Sequence, residues 1–224
     1  MTTRDDILNC IRGHIDASGV STKPTEALPV RTLVRSSRDD MIREFAQQLE
    51  SVAGCCHCVQ THDEAAEVLR TIVAEGSGGT LARSSEPRVV QLVEQALGST
   101  EVATDSSPRE VLLDCAVGVT TAPLGIAEHG TIVMPSGDAD LGRERTRLVA
   151  LLPLAHVAIL RASDLVGTIS EALSRLPSLG ADDRPLPPTV TFATGPSRTA
   201  DIQQELVLGV HGPHAQHVIL LTHD

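Results

Sequence analysis

The scarcity of aromatic residues constrains the fold of this chain more than any other feature of its sequence. The 224 residues include no Trp and no Tyr, and the two Phe residues are Phe45 and Phe192, although 41% of the chain is hydrophobic. The core must therefore consist of Leu, Val, Ile and Ala, which suits buried parallel strands covered by helices. A chain of this length can form one domain and bury roughly 70% of the surface that its unfolded form exposes. The sequence thus predicts an α/β fold.

Charge and composition argue against several classes of protein. The net charge is −11, from 29 acidic and 18 basic residues. Such a surface repels nucleic-acid phosphates, and the chain offers almost no aromatic rings on which bases can stack. No apolar run approaches the roughly 18 residues of a membrane span. Charged residues at positions 4–6 stand where a signal peptide needs an apolar stretch, so we expect a cytoplasmic protein whose five cysteines are reduced.

The spacing of apolar residues predicts an N-terminal helix and linker over residues 1–30, followed by an α/β domain over residues 31–224. The N-terminal helix spans 5–15, and Thr61 and Glu64 match a capping box at the start of a later helix. Alternation of strands and helices implies right-handed βαβ units and a mainly parallel sheet. Within the domain, the predicted helices are 38–52, 63–74, one that starts near Pro87, 162–176 and 199–208. The predicted strands are 55–60, 80–83, 130–134, 157–160, 190–193 and 217–221, and residues 114–121 are a stretch of small and β-branched residues.

Two clusters of cysteine and histidine raise the question of a metal site. The run Cys55-Cys56-His57-Cys58 has no second pair of ligands at the spacing of a structural zinc site, and in an extended strand its first and last cysteines point to opposite faces. His211, His214 and His217 are spaced by three, but Gly212-Pro213 prevents the helix that would align them. We therefore expect no metal in this chain, with zinc binding as the alternative.

The segment from Thr194 to Asp201, Thr-Gly-Pro-Ser-Arg-Thr-Ala-Asp, follows a predicted strand and opens a predicted helix. Free N–H groups at a helix start, with nearby hydroxyls, suit carboxylate or phosphate oxygens. The guanidinium of Arg198 can donate two hydrogen bonds to the same anion. We expect Asp201 to orient Arg198 or His211 rather than contact the ligand. A capped helix start without a ligand is the alternative. The predicted ligand-binding residues are Thr194, Gly195, Ser197, Arg198, Thr199, Asp201 and Gly212.

A second segment, residues 122–131, places Glu128 in a turn of small residues before a strand. Gly125 and Gly130 allow close approach of another backbone. Glu128 can be a nucleophile, a general base or a structural acceptor for nearby N–H groups. His211 lies in a Gly-Val-His-Gly-Pro turn and can exchange a proton near neutral pH. We expect Glu128 and His211 to be the catalytic residues and to face the ligand held by the first segment.

Three stretches together resemble the LUD-domain family, most closely its lactate-utilisation protein C type. They are Gly-Val-Thr-Thr-Ala-Pro-Leu-Gly-Ile-Ala-Glu-His-Gly-Thr (118–131), Leu-Leu-Pro-Leu-Ala-His-Val (151–157), and Thr-Gly-Pro-Ser-Arg-Thr-Ala-Asp-Ile (194–202) with Gly-Val-His-Gly-Pro (209–213). The resemblance implies a three-layer α/β fold like that of ribose-5-phosphate isomerase, glucosamine-6-phosphate deaminase and CoA transferases. It also implies a part in bacterial oxidation of L-lactate to pyruvate, with iron–sulfur clusters in partner proteins and no cofactor in this chain.

One position departs from the family, whose typical Glu-Thr-Gly is Glu128-His129-Gly130 here. Class I CoA transferases use a Glu before Asn-Gly as an acyl-accepting nucleophile, and Glu128 resembles that residue in outline. Two functions therefore stand beside a lactate-utilisation subunit that binds a small anion. One is a stand-alone enzyme acting on an acyl-CoA or a sugar phosphate, and the other is a purely structural scaffold.

Overall fold

A computed structural model of the chain describes residues 3–18, 37–76, 80–137, 146–180, 186–200, 206–208 and 212–223. The chain divides into two compact units, Met1–Val30 and Arg31–Asp224. The first contains helix α1 (Arg4–Ser18), whose first turn is closed by hydrogen bonds between Thr3 and Asp6 in both directions. No residue of α1 is buried.

The second unit alternates helices and strands over its described residues. Its helices are α2 (Arg38–Ser51), α3 (His62–Glu75), α4 (Pro87–Leu97), α5 (Arg109–Leu113), α6 (Thr146–Leu151) and α7 (Ile169–Arg175). Its strands are β1 (Cys55–Val59), β2 (Leu81–Arg83), β3 (Ala103–Thr104), β4 (Val117–Thr121), β5 (Leu124–Ile126), β6 (Thr131–Ser136), β7 (Ala155–Arg161), β8 (Leu165–Val166), β9 (Thr189–Ala193), β10 (Arg198–Ala200), β11 (Leu206–Leu208) and β12 (Ala215–Leu221).

The main sheet has six strands in the order β1-β12-β7-β4-β2-β3, and every neighbouring pair is parallel. Its central strands are apolar on both faces, as β7 illustrates with five consecutive buried residues, and such strands are stable only between two covering layers. The last strand, β12, lies between β1 and β7, so it completes the interior of the sheet rather than its edge.

Helices α3 and α4 cover one face of the main sheet, where Leu69, Val93 and Val157 share one hydrophobic cluster. The other face packs against α2 and a second sheet, with Phe45, Ile132 and others in a separate cluster. The three layers are therefore the helices α3 and α4, the parallel main sheet, and a layer formed by α2 and the second sheet. This arrangement confirms the predicted three-layer α/β fold with a mainly parallel sheet.

The second sheet has the order β8-β5-β6-β9, in which β6 is antiparallel to both β5 and β9. It was not predicted, because residues 122–131 were interpreted as a turn. Strand β5 and a 3-10 turn, Ala127–His129, occupy that segment instead. Short strands of three residues carry too little alternation for the sequence pattern to identify them.

Two predicted helices are wrong in whole or in part. Residues Arg198–Ala200 and Leu206–Leu208 form an antiparallel hairpin rather than a helix over 199–208, because cross-strand pairing outweighs a weak local helix preference. The helix predicted over 162–176 begins only at Ile169. Thr168 caps it and accepts a hydrogen bond from the N–H of Glu171 at 3.2 Å.

Helix α3 confirms its predicted start, since Thr61 Oγ1 accepts a hydrogen bond from the N–H of Glu64 at 3.2 Å. The Glu64 carboxylate reaches back to the N–H of Gln60 at 2.7 Å. Among the described residues, no helix has the length and apolar character needed to cross a membrane.

Candidate functional site

The two segments that the sequence singled out meet at a pair of threonines. Thr131 begins β6, and Thr194 directly follows β9. Because Ile132 pairs with Ala193 in the antiparallel register, the two threonines lie opposite each other. Their hydroxyl oxygens are 2.6 Å apart. The two segments are therefore adjacent at this pair of threonines, and a ligand site shared by Ser197, Glu128 and His211 stays a prediction.

Helix α2 rests on both segments, and this contact explains two glycines. Gly130 has φ +60°, and a Cβ there would lie 2.3 Å from the backbone nitrogen of Leu49. Gly195 has φ +75°, and a Cβ there would lie 2.7 Å from the carbonyl oxygen of Val52. The close approach that the glycines permit is thus made by a helix backbone, not by a ligand.

The expected anion site at the start of a helix is not formed, because Arg198 and Thr199 lie in strand β10. The guanidinium of Arg198 donates a hydrogen bond to the carbonyl of Val52, the residue that caps the C-terminus of α2. A cation there satisfies a carbonyl that has no partner within the helix and complements the helix dipole. The side chain of Thr199, and the whole of Asp201 and His211, lie outside the described residues.

Glu128 lies in the 3-10 turn between β5 and β6 and is half-buried. Its Oε1 accepts a hydrogen bond from the N–H of Ile169, the first residue of α7, at 2.7 Å. The Nδ1 of His129 is 3.5 Å from the same oxygen. This geometry favours the role of structural acceptor among the three that the sequence left open. A nucleophilic or basic role stays a prediction.

Four of the predicted ligand-binding residues line one cavity of about 260 Å³. They are Thr194, Gly195, Ser197 and Gly212. The N–H of Ser197 donates to the carbonyl of Pro213 at 2.9 Å, which holds the two ends of this segment together. We call this space the Gln216 cavity, after the buried glutamine on β12 that also lines it.

His156 on β7 is the second buried polar residue of the Gln216 cavity. Its Nε2 is 2.9 Å from the hydroxyl of Thr120. Burial, with a smaller contribution from the nearby His217, lowers the pKa of His156 to about 4. The imidazole is therefore uncharged at neutral pH. No pattern in the sequence indicated His156, because a histidine within an apolar strand is usually a core residue.

A second cavity, of about 480 Å³, lies where β4 and β7 end. Arg88, Arg161 and Arg175 line it, and we call it the arginine cavity. Arg161 forms a two-pronged ion pair with Asp164, with distances of 2.7 and 2.9 Å. Within the described part of the chain, the guanidinium groups of Arg88 and Arg175 have neither a hydrogen-bond nor an ion-pair partner. In a protein of net charge −11, this local excess of positive charge is unusual.

The N-terminus of α4 adds to the positive potential of the arginine cavity. Glu86 occupies the capping position, but its side chain does not cap the helix. The Glu86 carboxylate instead accepts a hydrogen bond from the hydroxyl of Thr121, the last residue of β4. The positive end of the helix dipole therefore faces the cavity beside Arg88. Carboxyl ends of parallel strands are also where ligands of open α/β sheets gather.

Comparison with known proteins agrees with this architecture. Residues 42–221 match the family model of the LUD domain. The chain belongs to the LUD-domain family.

Several curated proteins are similar to this LUD-domain chain over most of their length. "Lactate utilization protein C" of a Geobacillus species is 30% identical, over 96% of this chain and 92% of the relative. The protein of the same name from an Exiguobacterium species is 29% identical, over 100% and 97%. That of Bacillus subtilis is 28% identical, over 86% and 82%.

One solved structure resembles the LUD-domain chain in fold. The crystal structure of a DUF162 family protein from Deinococcus radiodurans superposes with a TM-score of 0.58 over 84% of this chain and 99% of that one. Sequence identity is 19%, so the likeness supports the fold alone.

The cysteine and histidine run of the LUD domain lies on the edge strand β1. His57 stacks on His217 with ring centroids 5.5 Å apart, and their nitrogens Nε2 and Nδ1 are 3.2 Å apart. Burial lowers the pKa of both histidines. In the ranges that the structure describes, no group of three or more potential ligands is arranged to hold a metal ion.

Cys58 is exposed, and a hydrogen bond from the Cys56 thiol lowers its pKa to about 7. The same interaction, together with burial, raises the pKa of Cys56. Alternate residues of a strand point to the same face, which explains why these two thiols interact while Cys55 faces away. Cys58 is therefore the thiol with the greatest thiolate character at neutral pH.

Proposed function

We propose that this protein is a component of a bacterial L-lactate utilisation system and binds a small anionic ligand in the arginine cavity. The name shared by the similar proteins, "Lactate utilization protein C", supports the first part. The observation that carries the second part is the pair of guanidinium groups of Arg88 and Arg175, which have no partner among the residues that the structure describes. In this proposal the iron–sulfur clusters belong to partner proteins, and the system works in the cytoplasm.

The chemistry of the arginine cavity suits a carboxylate attached to a small organic group. A planar guanidinium can bind both oxygens of a carboxylate, and the N-terminus of α4 stabilises the same charge. Ala122, Leu124 and Leu179 supply an apolar wall for the rest of the ligand. Lactate and pyruvate both have this character, a carboxylate joined to a short carbon chain.

The carboxylates that line the arginine cavity cancel only part of its positive charge, since it has three arginines and two carboxylates. Asp164 is paired with Arg161, and the Glu86 carboxylate is held by a hydrogen bond from Thr121. An anion can therefore bind to Arg88 and Arg175 without breaking either of these contacts. Arg88 and Arg175 lie on two different helices, so they can contact the ligand from two sides.

A stand-alone enzyme acting on an acyl-CoA or a sugar phosphate is the second candidate. The volume of about 480 Å³ favours it, because that volume is within the range of sites for much larger ligands than a three-carbon acid. Phosphate groups also suit arginine pairs and helix N-termini. A scaffold without a ligand is the third possibility, and binding measurements exclude it if any of these anions binds.

Isothermal titration of the full chain with L-lactate, pyruvate, inorganic phosphate and acetyl-CoA tests the ligand. We expect one of the two organic acids to bind, and the double variant Arg88→Gln/Arg175→Gln to weaken that binding at least tenfold. Arg109→Gln is the matched control, since Arg109 is exposed and does not line the cavity. Equal binding by the double variant and the control would contradict the assignment of the cavity. Tighter binding of acetyl-CoA or phosphate would favour the second candidate.

Growth tests the biological role separately. Deleting the gene should impair growth on L-lactate and leave growth on glucose unchanged. The Arg109→Gln gene should restore growth on lactate, whereas the double arginine variant should not. Normal growth of the deletion strain on lactate, with no second copy of the gene present, would contradict the proposed role.

A further inference from the structure

Gln216 presents a buried hydrogen-bond acceptor without a partner. The residue is 2% exposed, and its Oε1 has no hydrogen-bond partner among the described residues. An unpartnered buried acceptor destabilises a folded chain, so the few that native proteins keep need a reason. Gln216 lines the Gln216 cavity, so the space beside it can hold a donor from another molecule.

The main sheet places Gln216 and His156 side by side. The two residues are register partners on the parallel strands β12 and β7. His156 is 1% exposed and shares a hydrogen bond with Thr120. The cavity therefore has two buried polar groups on one wall, and neither carries a charge at neutral pH.

No charged side chain lines the Gln216 cavity within the described ranges of the chain. Met134 and Leu151 give it apolar surface. Phe192 reaches the cavity only with its backbone, because it pairs with Val133 and its side chain lies on the other face of the second sheet from Met134 and Ala193.

We propose that the Gln216 cavity binds a small uncharged molecule that has an amide or hydroxyl donor and an apolar body. The donor bonds to Gln216 Oε1, and the body packs against Met134 and Leu151. An anion is disfavoured because none of the described lining side chains is a cation. The volume of about 260 Å³ is below the usual range of whole-cofactor sites, so the ligand is a small molecule or one end of a larger one.

This site is separate from the arginine cavity in both residues and chemistry. The arginine cavity is lined by charged groups at the carboxyl ends of strands, whereas Gln216 and His156 are the second residues of their strands, at the opposite end. The two proposals can therefore fail independently.

Benzamide and benzoate form a matched pair of probes, since they have the same shape and differ in charge and in the amide donor. We expect benzamide, titrated into the ¹⁵N-labelled full chain, to give saturable shifts in the NMR signals of the Gln216 side-chain amide and of the Ser197 and Gly212 backbone amides. Benzoate should bind at least tenfold more weakly. Equal binding of both probes, or an absence of shifts at these three residues, would overturn the proposal.

Variants of the full chain test the role of each wall. Gln216→Met keeps the shape and removes the unpartnered acceptor, so it should abolish benzamide binding and raise the melting temperature. Gln91→Met, on the exposed face of α4, should change neither. Leu151→Ala, at a half-buried position that lines the cavity, should weaken benzamide binding about tenfold. A lower melting temperature for Gln216→Met with unchanged benzamide binding would mean that the glutamine is structural and the proposal is wrong.

Discussion

The hydroxyl oxygens of Thr131 and Thr194 lie 2.6 Å apart and join the two segments that were singled out in the sequence. Thr131 is 5% exposed, so its hydroxyl depends on this partner. Thr194→Val should therefore lower the free energy of unfolding by about 1–2 kcal/mol, because it leaves a buried hydroxyl without a partner. The double variant Thr131→Val/Thr194→Val should recover part of that loss. Urea unfolding measures both, and a double variant whose losses simply add would contradict the pairing.

Gly195 and Gly98 form a natural comparison, because both have positive φ, +75° and +70°. A Cβ at Gly195 meets Val52, whereas a Cβ at Gly98 has nothing within 4 Å. Gly98→Ala should cost on the order of 1–3 kcal/mol from backbone strain alone, because φ +70° with ψ −160° is a conformation that glycine almost alone adopts. Gly195→Ala should cost more, because a Cβ there also meets Val52 and the end of α2 must move. Chemical unfolding measures the difference, and equal losses would mean that α2 does not press on Gly195.

His156 should make the folded state sensitive to acid. Burial lowers its folded-state pKa to about 4, below the ordinary value of about 6.5 in the unfolded chain. The unfolded chain binds the proton first, so this contribution to stability is complete above pH 6.5 and is lost as the pH falls toward 4. At pH 5 the loss should be on the order of 2 kcal/mol.

Unfolding by urea at pH 7.5 and pH 5 measures this sensitivity to acid. His156→Gln should flatten the difference between the two pH values, and His14→Gln, on the exposed helix α1, should leave it unchanged. His57 and His217 also have lowered pKa values and should retain part of the slope in the His156 variant. A His156 variant with the full wild-type slope would contradict the prediction.

Two substitutions at Glu128 distinguish a structural role of this residue from a catalytic one. Glu128→Gln keeps an oxygen that can accept from Ile169, so the free energy of unfolding should change by less than about 1 kcal/mol. Glu128→Ala removes the acceptor and should cost about 1–2 kcal/mol. If the residue is only structural, the Gln variant supports normal growth on lactate. Loss of growth with a stably folded Gln variant would instead favour a nucleophile or a base.

Cys58 should be the fastest thiol to react with iodoacetamide at pH 7, because its pKa is lowered to about 7 by the Cys56 thiol. Cys56→Ala removes that hydrogen bond and should slow the labelling of Cys58 about tenfold. Cys55→Ala is the control, since Cys55 faces the other side of the strand. Mass spectrometry of timed digests measures the rate at each site, and equal rates at Cys10 and Cys58 would contradict the prediction.

Local features of the fold were predictable from the sequence. Residues 157–160 are all apolar, which only a central strand tolerates, and the capping box of Thr61 defined the start of α3. The position of β12 between β1 and β7 was not predicted, because apolar spacing carries no information about which distant strands pair. The hairpin of β10 and β11 was missed for the same reason.

The candidate site was predicted in part. Thr194, Ser197 and Gly212 do line one cavity, because they are neighbours in the chain or are held together at the ends of one segment. Arg88 and Arg175 were missed, since they lie on separate helices and line one cavity only in the folded chain. Of the three arginines of the cavity, a search for charged residues at strand ends would have found only Arg161, the last residue of β7.

The central position of β12 sets the order in which this protein can fold during its synthesis. His57 on β1 and His217 on β12 touch although they are 160 residues apart, so the sheet cannot close until β12 has left the ribosome. Until then β1 and β7 have no strand between them, and their unpaired edges are exposed to other nascent chains. Loss of β12, through a premature stop codon or a protease, should therefore abolish the fold rather than trim it.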